Sequence, residues 1–226
     1  MKVMILAAGL GNRMRPLTDH TPKPLLKVAG KPLIVYHIEK LAVAGFSEII
    51  INIAHLGYMI PQVLGDGSQW GIKITYSDEQ EEGALESLGG IVKALPLLGS
   101  ETFLVVNGDV WCDYTFDASL RLDDTLAHLI LVTNPEHNLD GDFALDGKSV
   151  KREGKEKFTF SGIGYYNPKL FKDQAYGSAP LAPLLRKAMD LGKVSGEKYA
   201  GVWRDIGTPE RLDEINCSIN QQQKER

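Results

Sequence analysis

The chain has 226 residues, 43% apolar and 24% charged, an ordinary balance for a globular protein with one sizeable α/β core. Its 25 Lys and Arg against 29 Asp and Glu leave a net charge of −4, which excludes a global basic field for holding nucleic acid. Any bound anion must be met by local cations. Two cysteines, Cys112 and Cys217, match no metal or redox spacing, and no apolar stretch is long enough to span a membrane. A reducing, cytoplasmic setting is the expectation, with no membrane and no obligate protein partner. Met1 to Gly11 places one Lys before an apolar stretch, as a signal peptide does. It is too short and runs into a charged loop, so a buried first strand is the better reading.

In chain order, Val3–Ala7 reads as that strand. Pro32–Ala44 reads as a helix with an apolar face and Gly45 as its stop. Glu48–Ile53 is a second strand, Leu56–Leu64 a short helix, and Ile72–Tyr76 a third strand. Leu88–Leu97 is helical, Phe103–Asn107 a strand, Asp117–Asp123 a helix, and Ala127–Val132 a fifth strand. Near-continuous apolar strands between helices imply a parallel sheet covered on both faces. Beyond residue 133, Asp142–Leu145 and Ser149–Lys151 form a hairpin pattern around Asp146-Gly147, and Lys157–Tyr166 is a long strand. Pro180–Leu191 is a helix, Lys193–Asp205 holds one or two strands, and a closing helix starts near Arg211. The last six residues read as a frayed tail.

The most informative segment is Leu6–Pro24. An apolar strand ends in Gly9 and Gly11, whose backbone N–H groups are free of side chains, and a loop with Arg13, Arg15 and Lys23 follows. Such a turn suits a polyphosphate. A dinucleotide fold would want a third glycine where Met14 stands and an acid where Asn52 and Ile53 stand; no G-K-[ST] marks a P-loop. Pro22 and Pro24 restrict the backbone around Lys23. Asp109, in Asn107-Gly108-Asp109, follows an apolar strand at the sheet edge where ligands bind, although a plain turn explains the composition equally well. Asp205 ends another strand; Thr208 and Pro209 suit a helix cap but leave Asp205 unexplained. Two carboxylates on separate strand ends suit Mg²⁺. Gly83–Gly90 could let a flat ring approach the backbone, and Gly162 and Gly164 could mark a bulge or a close approach of ligand. The five histidines have no ligand spacing, and Ser161 lacks a nucleophile elbow.

Together these segments resemble the sugar-1-phosphate nucleotidyltransferases. The opening G-x-G-x-R-x-x-P stands as residues 9–16, P-K-P as 22–24, N-G-D as 107–109, and W-x-D-x-G-T as 203–208. The resemblance covers the chain to about residue 215. Residues 95–99, 106–111 and 193–197 are similar to the short bacterial uridylyltransferases that act on N-acetylmuramic acid 1-phosphate in peptidoglycan recycling. It implies a Rossmann-like three-layer α/β sandwich with a mostly parallel central sheet and a small β-hairpin insertion on the sugar side. One domain over residues 1–226 would hold the nucleotide with about residues 1–110 and the sugar with about 111–215. The implied partners are an NTP, UTP favoured, and a sugar 1-phosphate.

The resemblance also implies roles. Arg13 would stabilise departing pyrophosphate with the N–H groups of Gly11 and Asn12, and Lys23 would hold a phosphate. Asp109 and Asp205 would bind Mg²⁺, with Arg13, Lys23 and Asp109 the catalytic set. Ala8, Gly9, Glu86 and Gly89 would lie by base and ribose, and Asn107, Gly141, Asp142 and Gly162 by the sugar. Asn12 departs from the commoner Thr, Ser or Glu, and residues 87–90 from a more glycine-rich run, which bears on nucleobase choice. Rival readings are a glucose-1-phosphate or mannose-1-phosphate nucleotidyltransferase using dTTP, UTP or GTP, a cytidylyltransferase for a phosphoalcohol, and a non-catalytic sugar-nucleotide sensor.

Overall fold

Val3, Met4 and Ile5 have no exposure, and their strand, β1 (Lys2–Leu6), lies near the middle of a nine-stranded sheet. The computed structural model describes residues 1–224. In chain order the further elements are β2 (Lys27–Val28), β3 (Lys31–Pro32), α1 (Leu33–Val43), β4 (Glu48–Ile53), α2 (Met59–Leu64) and β5 (Lys73–Asp78). Then come α3 (Glu86–Leu98), β6 (Phe103–Asn107), β7 (Val110–Cys112), β8 (Ala127–Val132), β9 (Phe143–Asp146) and β10 (Ser149–Lys151). The chain closes with β11 (Lys157–Tyr166), α4 (Ala182–Asp190), β12 (Val194–Tyr199), β13 (Trp203–Asp205) and α5 (Pro209–Lys224). Most boundaries fall within a few residues of the sequence reading. Helix α5 runs into the stretch expected to fray, whose last two positions, 225 and 226, lie outside the described residues.

The sheet order is β5-β4-β1-β6-β11-β8-β12-β10-β9. Strands β5, β4, β1 and β6 are parallel, as are β8 and β12, while β11 runs antiparallel between β6 and β8. The sheet is therefore mixed, and the fifth predicted strand joins it through β11 rather than through β6. The hairpin β9–β10 extends the far edge. Alternation along β1 divides the core: Val3 and Ile5 pack with Ile34, Ile38 and Ile60 of α1 and α2, and Met4 packs with Ile91, Leu98 and Leu185 of α3 and α4. Two helical layers thus sandwich the sheet.

The predicted helix Asp117–Asp123 does not form; the segment is irregular. The Asp117 carboxylate accepts from both the backbone N–H (2.7 Å) and hydroxyl (2.6 Å) of Ser119, and the Tyr165 hydroxyl accepts from the Asp117 N–H at 2.9 Å. Local side-chain hydrogen bonds outcompete a seven-residue helix here.

A third, small cluster matters for function. Met14, Leu26, Val28, Leu33, Ile206, Leu212 and Ile215 pack together, so the glycine loop is fastened to β2, α1 and α5. Met14, standing where a dinucleotide fold would carry glycine, is that anchor, with no exposed surface.

His37, on α1, is 2% exposed and lies 2.6 Å from the Val110 carbonyl through Nε2. Burial depresses its pKa from 6.5 to about 4. Unfolded chains take up a proton below pH 6.5 that the folded protein refuses until about 4. Stability is therefore full above 6.5 and declines as pH falls toward 4, by on the order of 3 kcal/mol from this group. The melting temperature should drop across that window in the wild type and flatten in His37→Gln; parallel curves for the two proteins would contradict the assignment.

Candidate active site

A cleft of 580 Å³ opens at the C-terminal ends of β1 and β6, the edge where parallel sheets bind ligands. Ala8, Gly9, Gly11, Asn12 and Arg13 form one wall, and Asn107 and Asp109 the floor. Lys23 reaches in from the proline loop, and Ala84, Glu86 and Ser87 close the opposite side. Nine of the site residues expected from the sequence are thereby brought together: these five wall residues, Asn107, Asp109, Lys23 and Glu86.

The loop is shaped by specific contacts. Gly11 has φ +66°, and a Cβ there would meet Thr18 Cγ2 at 2.8 Å; the Thr18 hydroxyl donates to the Gly11 carbonyl at 2.8 Å. Lys23 Nζ donates to Asp109 Oδ2 at 2.7 Å, its side chain 11% exposed, so the ammonium is held where it meets the cleft. Asp109 is fixed through its backbone: Gly108 N–H donates to the Leu6 carbonyl and Ile206 N–H to the Asp109 carbonyl, both at 2.8 Å.

Strand β13 pairs antiparallel with β7, placing Asp205 opposite Val110 and so next to Asp109 along the chain. Asp205 accepts from Arg211 Nη1 at 2.5 Å, and His137 Nε2 lies 3.2 Å from its other oxygen. A Cβ on Gly207, which lines the cleft, would sit 3.0 Å from Asp205 Oδ2 and 3.4 Å from Arg13 Nη2. Asp205 and Arg13 thus meet at Gly207, and the β7–β13 pairing sets the Asp109 backbone next to that of Asp205, the two carboxylates being ion-paired with Lys23 and Arg211 respectively. This donor set fits a hard divalent cation, because Mg²⁺ takes one or two carboxylates and completes its shell with phosphate oxygens and water.

Asp205 stands just behind the cleft lining, and four further predicted residues lie away from it. Gly89, on α3, packs against the loop at Gly177: a Cβ on it would fall 2.2 Å from the Gly177 carbonyl oxygen, so helix–loop packing by itself requires glycine there. Gly162, at φ +78° in a β11 irregularity, lies under Asn107, whose Nδ2 would be 2.5 Å from an added Cβ. It supports Asn107 from below. Gly141 (φ +64°) turns tightly beside Lys157, and Asp142 accepts the Phe160 N–H at 2.8 Å, which commits one carboxylate oxygen to anchoring the sugar-side loop on β11. Gly162→Ala should displace Asn107 from its place in the cleft and force a left-handed backbone on alanine, costing about 1 kcal/mol or more of stability and raising the apparent KM for whatever the cleft binds. Unchanged melting and KM would contradict that support.

Sequence reasoning missed Arg211, His137, Asn52 and Glu79. Arg211 had a signal, lying six residues beyond Asp205 in the first turns of α5; His137 had none, because its partner is distant in the chain. Asn52 was noted only as the wrong residue for a dinucleotide fold. It accepts the Ala7 N–H and donates to Glu79, a carboxylate with no exposure whose pKa burial pushes up.

The nucleotidyl transferase family pattern matches residues 2–141. The chain is 55% identical over 226 residues to N-acetylmuramate alpha-1-phosphate uridylyltransferase of Neisseria meningitidis serogroup B, covering 96% of this chain and 97% of the relative. It is 32% identical over 223 residues to the protein of the same name from Caulobacter vibrioides, 92% of each chain being covered. Its backbone matches the structure of the inositol-1-phosphate CTP transferase from T. maritima with a TM-score of 0.75 at 19% identity, over 95% of each chain. The chain belongs to the nucleotidyl transferase family, and it is a sugar-1-phosphate nucleotidyltransferase.

Proposed function

We propose that this enzyme transfers the uridylyl group of UTP to N-acetylmuramic acid 1-phosphate, giving the UDP-sugar and pyrophosphate, in the recycling of peptidoglycan. The choice of substrates is carried by the 55% identity to the Neisseria uridylyltransferase over nearly the whole of both chains. The reaction class is supported by one cleft that gathers Lys23, Asp109 and Arg13 at the sheet edge.

An oxygen of the sugar phosphate attacks the α-phosphorus of UTP, and the bond from that phosphorus to the pyrophosphate oxygen breaks. Both reactants are anions, so the protein must suppress repulsion and hold the three atoms in line. Lys23 is fixed between two prolines and oriented by Asp109, so its ammonium meets the α-phosphate or the sugar phosphate without reorganising. Arg13 lies beside the Gly11 and Asn12 backbone and stabilises the pyrophosphate as charge moves onto it. Asp109 and Asp205 would hold Mg²⁺, which when bound neutralises phosphate charge and orients the two phosphates. Ala8, Gly9 and Glu86 flank base and ribose, and Asn107, held by Gly162, faces the sugar. Residues 1–110 supply the nucleotide side and residues 111–215 the sugar side.

The test is pyrophosphate release with Mg²⁺, crossing UTP, dTTP, CTP, GTP and ATP with the 1-phosphates of N-acetylmuramic acid, glucose, N-acetylglucosamine and mannose. Turnover concentrated on UTP with the muramic acid phosphate is expected. A stronger rate with another pair would move the enzyme to another pathway, and silence from folded protein would overturn the catalytic reading.

A further inference from the structure

Between the two walls of the nucleotide cleft runs a chain of buried hydrogen bonds that none of the catalytic roles above explains. The backbone N–H of Ala7, at the end of β1, donates to Asn52 Oδ1 at 2.8 Å. Asn52 Nδ2 donates to Glu79 Oε1 at 2.8 Å, and Glu79 Oε2 accepts the Leu85 N–H at 2.9 Å. Asn52 is 2% exposed and Glu79 0%. Residues 80–83 are exposed, and Leu85 is buried again immediately before α3. The Glu79 carboxylate therefore closes the loop at its base, and Asn52 ties that closure to the strand bearing the glycine turn.

The cluster is tightly enclosed. A Cβ on Gly90 would fall 2.8 Å from both Asn52 Nδ2 and Glu79 Oε1, so the packing leaves no room for either side chain to rotate away. The Asn52 amide has one orientation that satisfies both neighbours, oxygen to Ala7 and nitrogen to Glu79. A buried carboxylate is an expensive way to fill a core position, and apolar groups of the same shape are often as stable or more so. The geometry here does something that apolar packing would not: it fixes the distance between Ala7–Gly9 on one wall and Ala84–Ser87 on the other.

We propose that Asn52 and Glu79 are positioning residues for the nucleotide, setting the width of the slot that receives base and ribose. The proposal rests on the nucleotidyl-transfer reading of the cleft. Neither residue needs to touch the reacting phosphates.

The hydrogen-bond pattern supplies a decisive exchange. In Glu79→Gln the new amide must face either Asn52 Nδ2 or the Leu85 N–H with its own NH₂, donor against donor. In Asn52→Asp two carboxylates face each other, and the central bond re-forms only if one of them holds a proton, so binding is compared at a pH well above the carboxylate range, where that proton is lost. The double variant Asn52→Asp/Glu79→Gln restores every bond, with the polarity of the central one reversed. The carboxylate introduced at position 52 accepts from the Ala7 N–H and from the amide nitrogen introduced at position 79. The amide oxygen at position 79 then accepts from the Leu85 N–H. Equilibrium binding of UTP with Mg²⁺, without sugar phosphate, reads the slot directly on the full chain. Each single variant should bind UTP about tenfold or more weakly, with the KM for the sugar 1-phosphate changed by less than about twofold. The double variant should return to within about threefold of wild type.

A purely structural role would lower the melting temperature of the single variants while leaving UTP affinity of the folded protein unchanged, and that result overturns the proposal. So does a double variant that binds no better than the weaker single one. Should a single variant not fold, the other single variant decides against the double variant: folded, with UTP affinity equal to wild type, it overturns the proposal. Wild-type protein that binds no nucleoside triphosphate would instead overturn the reading of the cleft, and the proposal with it.

Discussion

Lys23→Ala should lower kcat by about 10²–10³-fold while the protein stays folded. The ammonium is nearly enclosed, at 11% side-chain exposure, and is held at 2.7 Å from Asp109 Oδ2. A cation preorganised in this way stabilises phosphate charge at no reorganisation cost in the transition state. Deleting it removes that charge and also the hydrogen bond that orients the Asp109 carboxylate. Both changes act on the same step, so the loss should appear mainly in kcat. Lys23→Arg should rescue poorly, because a broad planar fork cannot occupy the place of a compact ammonium between Pro22 and Pro24. Steady-state kinetics with circular dichroism as a folding control checks this; near-normal kcat in Lys23→Ala would remove Lys23 from the mechanism.

Asp109→Asn should be comparably severe, about 10²-fold or more in turnover, with a distinct signature. The backbone of Asp109 is bonded to Ile206, so the local fold survives the exchange. The substitution weakens the orienting pair with Lys23 and removes one of two carboxylates available to a divalent cation. The Mg²⁺ concentration for half-maximal rate should therefore rise, whereas in Lys23→Ala it should stay close to wild type. A Mg²⁺ titration of the two variants separates the roles. Identical Mg²⁺ dependence in Asp109→Asn and wild type would place the cation elsewhere.

The strands were legible because they are apolar runs of the right length, and β4, β6, β8 and β11 fall on the residues that periodicity marks. The N-terminal motifs were legible because glycine, proline and cation stand close together in the chain. Three kinds of feature were not. The antiparallel course of β11 depends on which edge is free when it arrives, and an apolar strand does not encode direction. The segment 117–123 has helical composition, but Asp117 and Ser119 satisfy each other locally. The Asn52–Glu79 bracket and the His137–Asp205 contact join residues 27 and 68 positions apart, and only the folded sheet brings them together. Gly89 and Gly162 show a related limit: glycine signals a close approach, and the sequence does not say whether ligand or protein makes it.

Uridylyl transfer is followed through the α-phosphorus. UTP labelled at that position is incubated with N-acetylmuramic acid 1-phosphate, Mg²⁺ and the wild-type chain, and the products are separated. Label should appear in the UDP-sugar, with unlabelled pyrophosphate in equal amount and no release without the sugar phosphate. Label recovered only as UTP from folded protein, or as free UMP formed without the sugar phosphate, would contradict that transfer.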